Sequence, residues 1–250
     1  MEAPEPVAGS APAATVDAGV LLEVKGLQSG YGRRPVLFEV DLHIGVGEIV
    51  AMFGHNGAGK TTTLNTIFGR IRSSAGTVQF AGEDITHDKG IVNVRRGMTL
   101  IPAEQFVFGD LTVLDNLKLG AFGNAGEMDE RMAQVYELFP ILEERTKQLA
   151  GTMSGGQQRM LSVGIALMTG PKLLLLDEPS LGLSPALVQQ MMAAIGRLAH
   201  EQQLSVLMVE QNVVQTLGVV DRAYFMRGGR IILEEPAEKL KGRDSYWDLF

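Results

Sequence analysis

Gly54-His55-Asn56-Gly57-Ala58-Gly59-Lys60-Thr61 is the stretch that most limits what this chain can fold into. Its spacing, G-x-x-x-x-G-K-[ST], suits a loop that holds phosphate, provided a buried strand precedes it and a helix follows. Glu48 to Phe53 reads as that strand and Thr61 to Phe68 as that helix. Glycines let the backbone fold back so that its N–H groups point inward at an anion. The helix N-terminus adds positive partial charge at the same place. Lys60 then brings a full charge toward the β- and γ-phosphates, and the Thr61 hydroxyl can ligate Mg²⁺. The candidate nucleotide contacts therefore run from Gly54 through Thr62.

A second element carries chemistry. Lys172-Leu173-Leu174-Leu175-Leu176-Asp177-Glu178-Pro179 puts four leucines ahead of two carboxylates. Such an apolar run suits a strand buried on both faces of a parallel sheet. Its carboxylates fall at the C-terminal end, where open α/β sheets bind ligands. Asp177 is suited to hold Mg²⁺, directly or through water. Glu178 is suited to orient and polarise an attacking water. A third element, Ser154-Gly155-Gly156-Gln157-Gln158-Arg159, opens an apolar helix through Met168; in isolation it reads first as an ordinary glycine-containing N-cap and second as another anion-binding helix start.

The rest of the chain frames these elements. Met1 to Gly19 is Ala- and Pro-rich and is expected to be a flexible tail. Val20 to Val24 and Val36 to Ile44 read as strands around a turn at Gly30-Tyr31-Gly32, and Ala75 to Gly82 as a short strand. By position alone, Tyr31 is equally a half-buried turn residue or an aromatic that stacks on adenine. From Pro102 to Met153 helical patterns dominate, with Thr112 to Asp115 resembling a capping box. Glu127 to Leu138 and Ile141 to Leu149 read as helices separated by Pro140. Ser184-Pro185 starts a helix running to about Gln203. Ser205 to Val209 is another buried strand, ending in Glu210-Gln211-Asn212. Arg222 to Met226 and Arg230 to Leu233 pair about Gly228-Gly229, and the tail from Pro236 is partly helical. His43, His87 and His200 stand alone and read as surface or structural residues.

Composition narrows the function classes. A net charge of -7 argues against attraction to nucleic acid or an anionic membrane surface. Without cysteine there is no disulfide and no thiolate metal site. The apolar run Met160 to Met168 falls short of the roughly 20 residues that span a bilayer. The N-terminus lacks a signal-peptide pattern, so a cytoplasmic chain is expected.

Together these motifs resemble the ATP-binding cassette family, the ATPase subunits of ABC transporters, over nearly the whole chain after Val20. Gly54 to Thr61 resembles Walker A, and Leu173 to Glu178 resembles Walker B with its catalytic glutamate. Met153-Ser154-Gly155-Gly156-Gln157 resembles the signature LSGGQ, with methionine for leucine. Within the family, Glu178 to Pro185, Val209 to Asn212 and Gly30-Tyr31-Gly32 look most like the branched-chain amino-acid importer (LivF-like) group; urea and amide importers share much of this pattern.

The resemblance implies an α/β P-loop NTPase fold with a mixed or parallel sheet, an N-terminal antiparallel β region and an inserted helical subdomain. The implied division is a cassette over 20–250, with a catalytic core of 20–101 and 166–250 and a helical subdomain of 102–165. It implies ATP and Mg²⁺ as cofactors and Tyr31 as the adenine-stacking residue. It also implies a head-to-tail pairing with a second cassette, so that Ser154, Gly155, Gly156 and Gln157 act on the partner's nucleotide. A membrane permease and, indirectly, a solute-binding protein complete the assembly, which places the chain on the inner face of the cell membrane.

Three positions depart from the family pattern. Gln211 stands where a histidine is usual, a catalytic position at which its amide can donate a hydrogen bond to a γ-phosphate but cannot carry a positive charge, and Gly182 stands where an aspartate is usual. After Pro102 the glutamine-loop register gives Ala103, then Glu104 and Gln105, so either Gln105 reaches Mg²⁺ by a changed backbone path or that contact is missing. Two rival readings follow. One is a soluble ATPase of the same type, for cluster assembly or repair, which lacks a permease. The other is a regulatory subunit that binds ATP but turns it over slowly, suggested by Gln211 and Ala103.

Overall fold

The computed structural model describes residues 19–104, 106–122, 125–243 and 246. The expected tail lies outside these residues except for Gly19, as does Gln105.

Strands β1 (Val20–Tyr31), β2 (Arg34–Gly45), β4 (Ser73–Phe80) and β5 (Glu83–Asp84) form a four-stranded antiparallel sheet in the order β2-β1-β4-β5. β1 runs well past the expected end at Val24, and Tyr31 is its last residue rather than the middle of the turn. The turn is Gly32-Arg33, because β1 and β2 pair up to Tyr31 opposite Arg34.

The second sheet has six strands in the order β10-β9-β3-β8-β7-β6. They are β3 (Ile49–Phe53), β6 (Met98–Ile101), β7 (Leu173–Asp177), β8 (Ser205–Glu210), β9 (Arg222–Arg227) and β10 (Arg230–Pro236). All neighbours pair in parallel except β10, which returns antiparallel to β9 at the edge. This is the mixed sheet expected from the sequence. β6 and the short helix before it, α2 (Gly90–Arg96), carry no distinct sequence signal, since four residues between a glycine and a proline are too few to show a period.

Period-two alternation in the central strands divides the interior into two cores. Ile49, Ala51, Phe53, Leu174, Leu176, Val206 and Met208 face a core built with helices α6 (Gly155–Met168) and α7 (Pro185–Gln202). Val50, Met52, Leu173, Leu175, Leu207 and Val209 face the antiparallel sheet and α1 (Lys60–Phe68). Every residue of β3, β7 and β8 is buried, which explains their unbroken apolar sequences.

The helical part contains α3 (Val113–Gly120), α4 (Met128–Leu138) and α5 (Pro140–Glu144), all packed on α6. Thr112 caps α3 by accepting from the Asp115 amide. The helix expected over Ile141 to Leu149 ends instead at Glu144, and Pro140 is its first residue rather than a separator. Thr146 and Gln148 carbonyls accept from Leu114 and Val113, so this stretch docks against the start of α3 at the expense of its own helix. α6 runs without a break across the expected boundary at 165/166. Two further helices are one turn each, α8 (Val213–Thr216) and α9 (Ala237–Leu240), the latter being the helical part of the tail within the described residues.

Leu175 lies in the middle of β7, fully buried between the sheets. Leu175→Ala is expected to lower the unfolding free energy by about 2–5 kcal/mol through lost contacts and a residual cavity. Denaturant unfolding followed by circular dichroism checks this.

Candidate active site

The ends of three adjacent parallel strands build the site. Phe53 pairs with Glu210, and Val209 pairs with both Met52 and Asp177, so β3, β8 and β7 finish level. The chain leaving β3 forms the loop Gly54 to Gly59 and enters α1 at Lys60.

The loop admits few alternatives to glycine at two positions. A Cβ on Gly54 would lie 2.4 Å from the Met226 carbonyl oxygen. Gly59 sits at φ 114°, a left-handed conformation that side chains disfavour, and it is walled in by Leu37 and Met226. The loop is pinned from outside by Gly229 N–H donating to the Ala58 carbonyl at 2.8 Å. The first bond within α1 runs from Thr63 N–H to the Gly59 carbonyl at 2.9 Å. The amides of Lys60, Thr61 and Thr62 therefore have no carbonyl inside the helix to bond, which leaves them for an anion. His55, Asn56 and Gly57 are exposed at the loop crest, whereas Gly54, Ala58, Gly59 and Lys60 are buried.

Lys60 folds back over its own loop, with Nζ donating to the carbonyls of Gly54 at 2.7 Å and His55 at 3.3 Å. Burial pushes its ammonium below the usual lysine range, while Glu178, Asp177 and Glu210 oppose that shift. Thr61 Oγ1 donates to Asp177 Oδ1 at 3.0 Å. Burial raises the Asp177 carboxyl above its ordinary range, and the Thr61 bond counteracts this.

A hydroxyl and a carboxylate this close suit a hard cation that keeps waters and phosphate oxygens as its remaining ligands. No cluster of three or more His, Cys, Asp or Glu side chains is arranged for a metal among the described residues. The donor set fits Mg²⁺ delivered with a nucleotide.

Glu178 follows β7 with φ 45°, tied by its N–H to the Val209 carbonyl at 3.0 Å. Its Oε1 accepts from Gln211 Nε2 at 2.6 Å. The departure at 211 thus replaces a titratable ring with an amide that holds the glutamate directly. Gly182, the other departure, adopts φ 74° in an exposed turn. Tyr31 is 55% exposed at the end of β1, and its hydroxyl lies 3.5 Å from Thr62 Oγ1 beside the start of α1.

The Ser154 end of α6 is held by another part of the fold. Ser154 and Gln157 form a reciprocal capping box, and Gln158 donates to the Ala150 carbonyl. Ser154 and Gly155 are exposed, whereas Gly156 is buried against Leu187 and Leu183.

Two residues that the motif reading passed over organise the centre. Arg159 is buried one turn into α6 and donates to the Pro102 carbonyl at 2.6 Å and the Asp177 carbonyl at 2.8 Å. Glu210 is 2% exposed and accepts from both Ser180 N–H and Ser180 Oγ at 2.8 Å. The available signal was a carboxylate closing an otherwise apolar strand. Isolated histidines keep structural roles where the described bonds reach them, as His43 Nδ1 does 3.3 Å from the Tyr224 hydroxyl.

Known proteins resemble this chain over most of its length. The family described as ABC transporter matches residues 37–181, which span the phosphate loop, the Ser154 motif and Glu178. A high-affinity branched-chain amino acid transport ATP-binding protein of Pseudomonas aeruginosa is 41% identical over 231 residues, covering 90% of this chain and 99% of that protein. A probable branched-chain amino acid transport ATP-binding protein of Archaeoglobus fulgidus is 34% identical over 227 residues, covering 90% and 96%. Among solved structures, an ATP-binding cassette of an ABC transporter superposes with a TM-score of 0.80 at 28% identity, covering 89% of this chain and 94% of that one. With the family match extending over more than half its length and its relatives aligned almost end to end, the chain belongs to the ABC transporter family, as one of its ATP-hydrolysing subunits.

Proposed function

We propose that this chain hydrolyses Mg²⁺-ATP as one of two facing cassettes beneath a permease that imports branched-chain amino acids or related small polar solutes such as urea and amides. The observation that carries the reading is the convergence of Lys60, Thr61, Asp177, Glu178 and Gln211 at the level ends of β3, β7 and β8. The names of the two branched-chain relatives support the choice of solute.

In this reading the amides from Gly54 to Thr62 and the Lys60 ammonium take the phosphates. Thr61 and Asp177 hold Mg²⁺, which neutralises phosphate charge when bound. Tyr31 stacks on adenine from beside α1. Glu178 orients and polarises the attacking water, and Gln211 steadies Glu178 by the amide contact. Positioning and charge stabilisation supply most of the acceleration. Gln105 remains a candidate Mg²⁺ contact, supported by the glutamine-loop resemblance alone.

Ser154, Gly155, Gly156 and Gln157 cap a helix start whose bonds run to Ala150 and within the motif, while the phosphate loop is bonded to Gly229 and Asp177. By the resemblance to ATP-binding cassettes, this second anion-binding terminus serves the nucleotide of a partner cassette, in a homo- or heterodimer. The cassette spans 20–250, and its helical subdomain at 102–165 passes the motion to the permease, with a solute-binding protein acting upstream. No helix of the described residues is long and apolar enough to cross a membrane. Attachment to the inner face of the cell membrane falls to the permease, and nucleic acid is not a partner.

Glu178→Gln is expected to keep ATP affinity, measured by calorimetry, while phosphate release drops at least about 100-fold, the scale of a lost general base. Wild-type release in that variant refutes the assignment. Lys60→Ala is expected to lose ATP affinity, and an unchanged calorimetric titration counts against the phosphate-loop role. Chelating Mg²⁺ with EDTA is expected to stop phosphate release and excess Mg²⁺ to restore it. Release that persists in EDTA removes the metal from the scheme. Co-purification with an integral membrane permease separates this reading from a free-standing ATPase.

A further inference from the structure

We propose that Glu210 is a positioning residue for hydrolysis: its buried carboxylate locks the loop carrying Glu178 to the strand end carrying Gln211. The inference rests on the function proposed above and adds to it a residue that touches no reacting atom.

Three bonds define the lock. Oε1 accepts from Ser180 N–H at 2.8 Å, Oε2 accepts from Ser180 Oγ at 2.8 Å, and Oε2 also accepts from Gln211 N–H at 3.3 Å. Both carboxylate oxygens are thus engaged although the residue is only 2% exposed. A buried carboxylate at the end of a strand of apolar residues is costly unless its acceptors are filled, so its presence calls for a specific return. Its partners lie on either side of the Glu178–Gln211 contact. Ser180 follows Glu178 by two residues, and Gln211 follows Glu210 directly.

The loop needs such a lock. Glu178 sits at φ 45°, a conformation that costs a non-glycine residue energy and persists only when its surroundings impose it. One tie is the Glu178 amide on the Val209 carbonyl; Glu210 supplies the others two residues further on. With both ends held by one carboxylate, the 2.6 Å contact between Gln211 Nε2 and Glu178 Oε1 is fixed by the fold rather than by two flexible side chains alone.

A glutamine at 210 can still accept from Ser180 N–H and donate to Ser180 Oγ. Its amide NH₂ then faces the Gln211 N–H, donor against donor. Glu210→Gln therefore loosens the lock on the Gln211 side, and Ser180→Ala removes one bond on the Glu178 side.

The test is steady-state phosphate release from the full chain with its partner subunits, alongside ATP affinity and melting temperature. Glu210→Gln is expected to lower kcat by about tenfold and Ser180→Ala by about three- to fivefold, with KM for ATP within about twofold of wild type. In a Gln211→Ala background the Glu210→Gln effect is expected to shrink to less than about twofold, because the contact it fixes is already gone. Wild-type kcat in the folded variants overturns the proposal. So does a fall in kcat that tracks lost affinity and melting temperature, or a full tenfold effect that persists in the Gln211→Ala background. If Glu210→Gln does not fold, Ser180→Ala decides by the same kcat and KM criteria. Glu178→Gln run in parallel separates the two levels: normal turnover there fails the proposed function itself, whereas an inactive Glu178→Gln beside normal Ser180→Ala and Glu210→Gln fails this inference alone.

Discussion

Hydrogen bonding between β3, β8 and β7 brings three parallel strands to an end at the same level. Phe53, Asp177 and Glu210 close their strands within one residue of register. Backbone pairing therefore brings to a phosphate loop two carboxylate-bearing segments that each lie more than a hundred residues further along the chain. Slipping β7 by one residue would turn Asp177 to the other face and separate it from Thr61. Burial on both faces makes such a slip costly, because every residue of these strands is enclosed.

The site gathers three acidic and two basic groups. Asp177, Glu178 and Glu210 stand against Lys60 and Arg159, in surroundings that disfavour ionisation of the buried members. Arg159 spends its described bonds on the carbonyls of Pro102, Ala103 and Asp177 rather than on a carboxylate. It thereby joins α6, which opens with Ser154, to the end of β7 and to the segment leading to Gln105.

Much of this was legible before the fold was seen. The phosphate loop, the leucine strand and the Ser154 helix start have local physical reasons for their residue types, and each lies where the sequence puts it. The misreadings were of extent and partner. β1 continues to Tyr31 because β4 pairs with it as far as Ser29 and β2 as far as Tyr31, which alternation over Val20 to Val24 could not reveal. The helix after Pro140 stops at Glu144 because Thr146 and Gln148 find better use capping α3. β6 is only four residues long and is a strand because Leu173 to Leu176 offers it a ladder.

By itself the sequence determined which local structures carry chemistry: glycines that let a loop fold back on itself, a lysine at a helix start, a carboxylate pair closing an apolar strand, a serine cap before paired glycines. Those depend on interactions within a few residues. Tertiary structure alone decided that Gln211 meets Glu178, that Thr61 meets Asp177, and that Glu210 binds Ser180. These contacts join residues brought together by strand order, and strand order is set by the packing of two whole cores, which no short window of residues encodes.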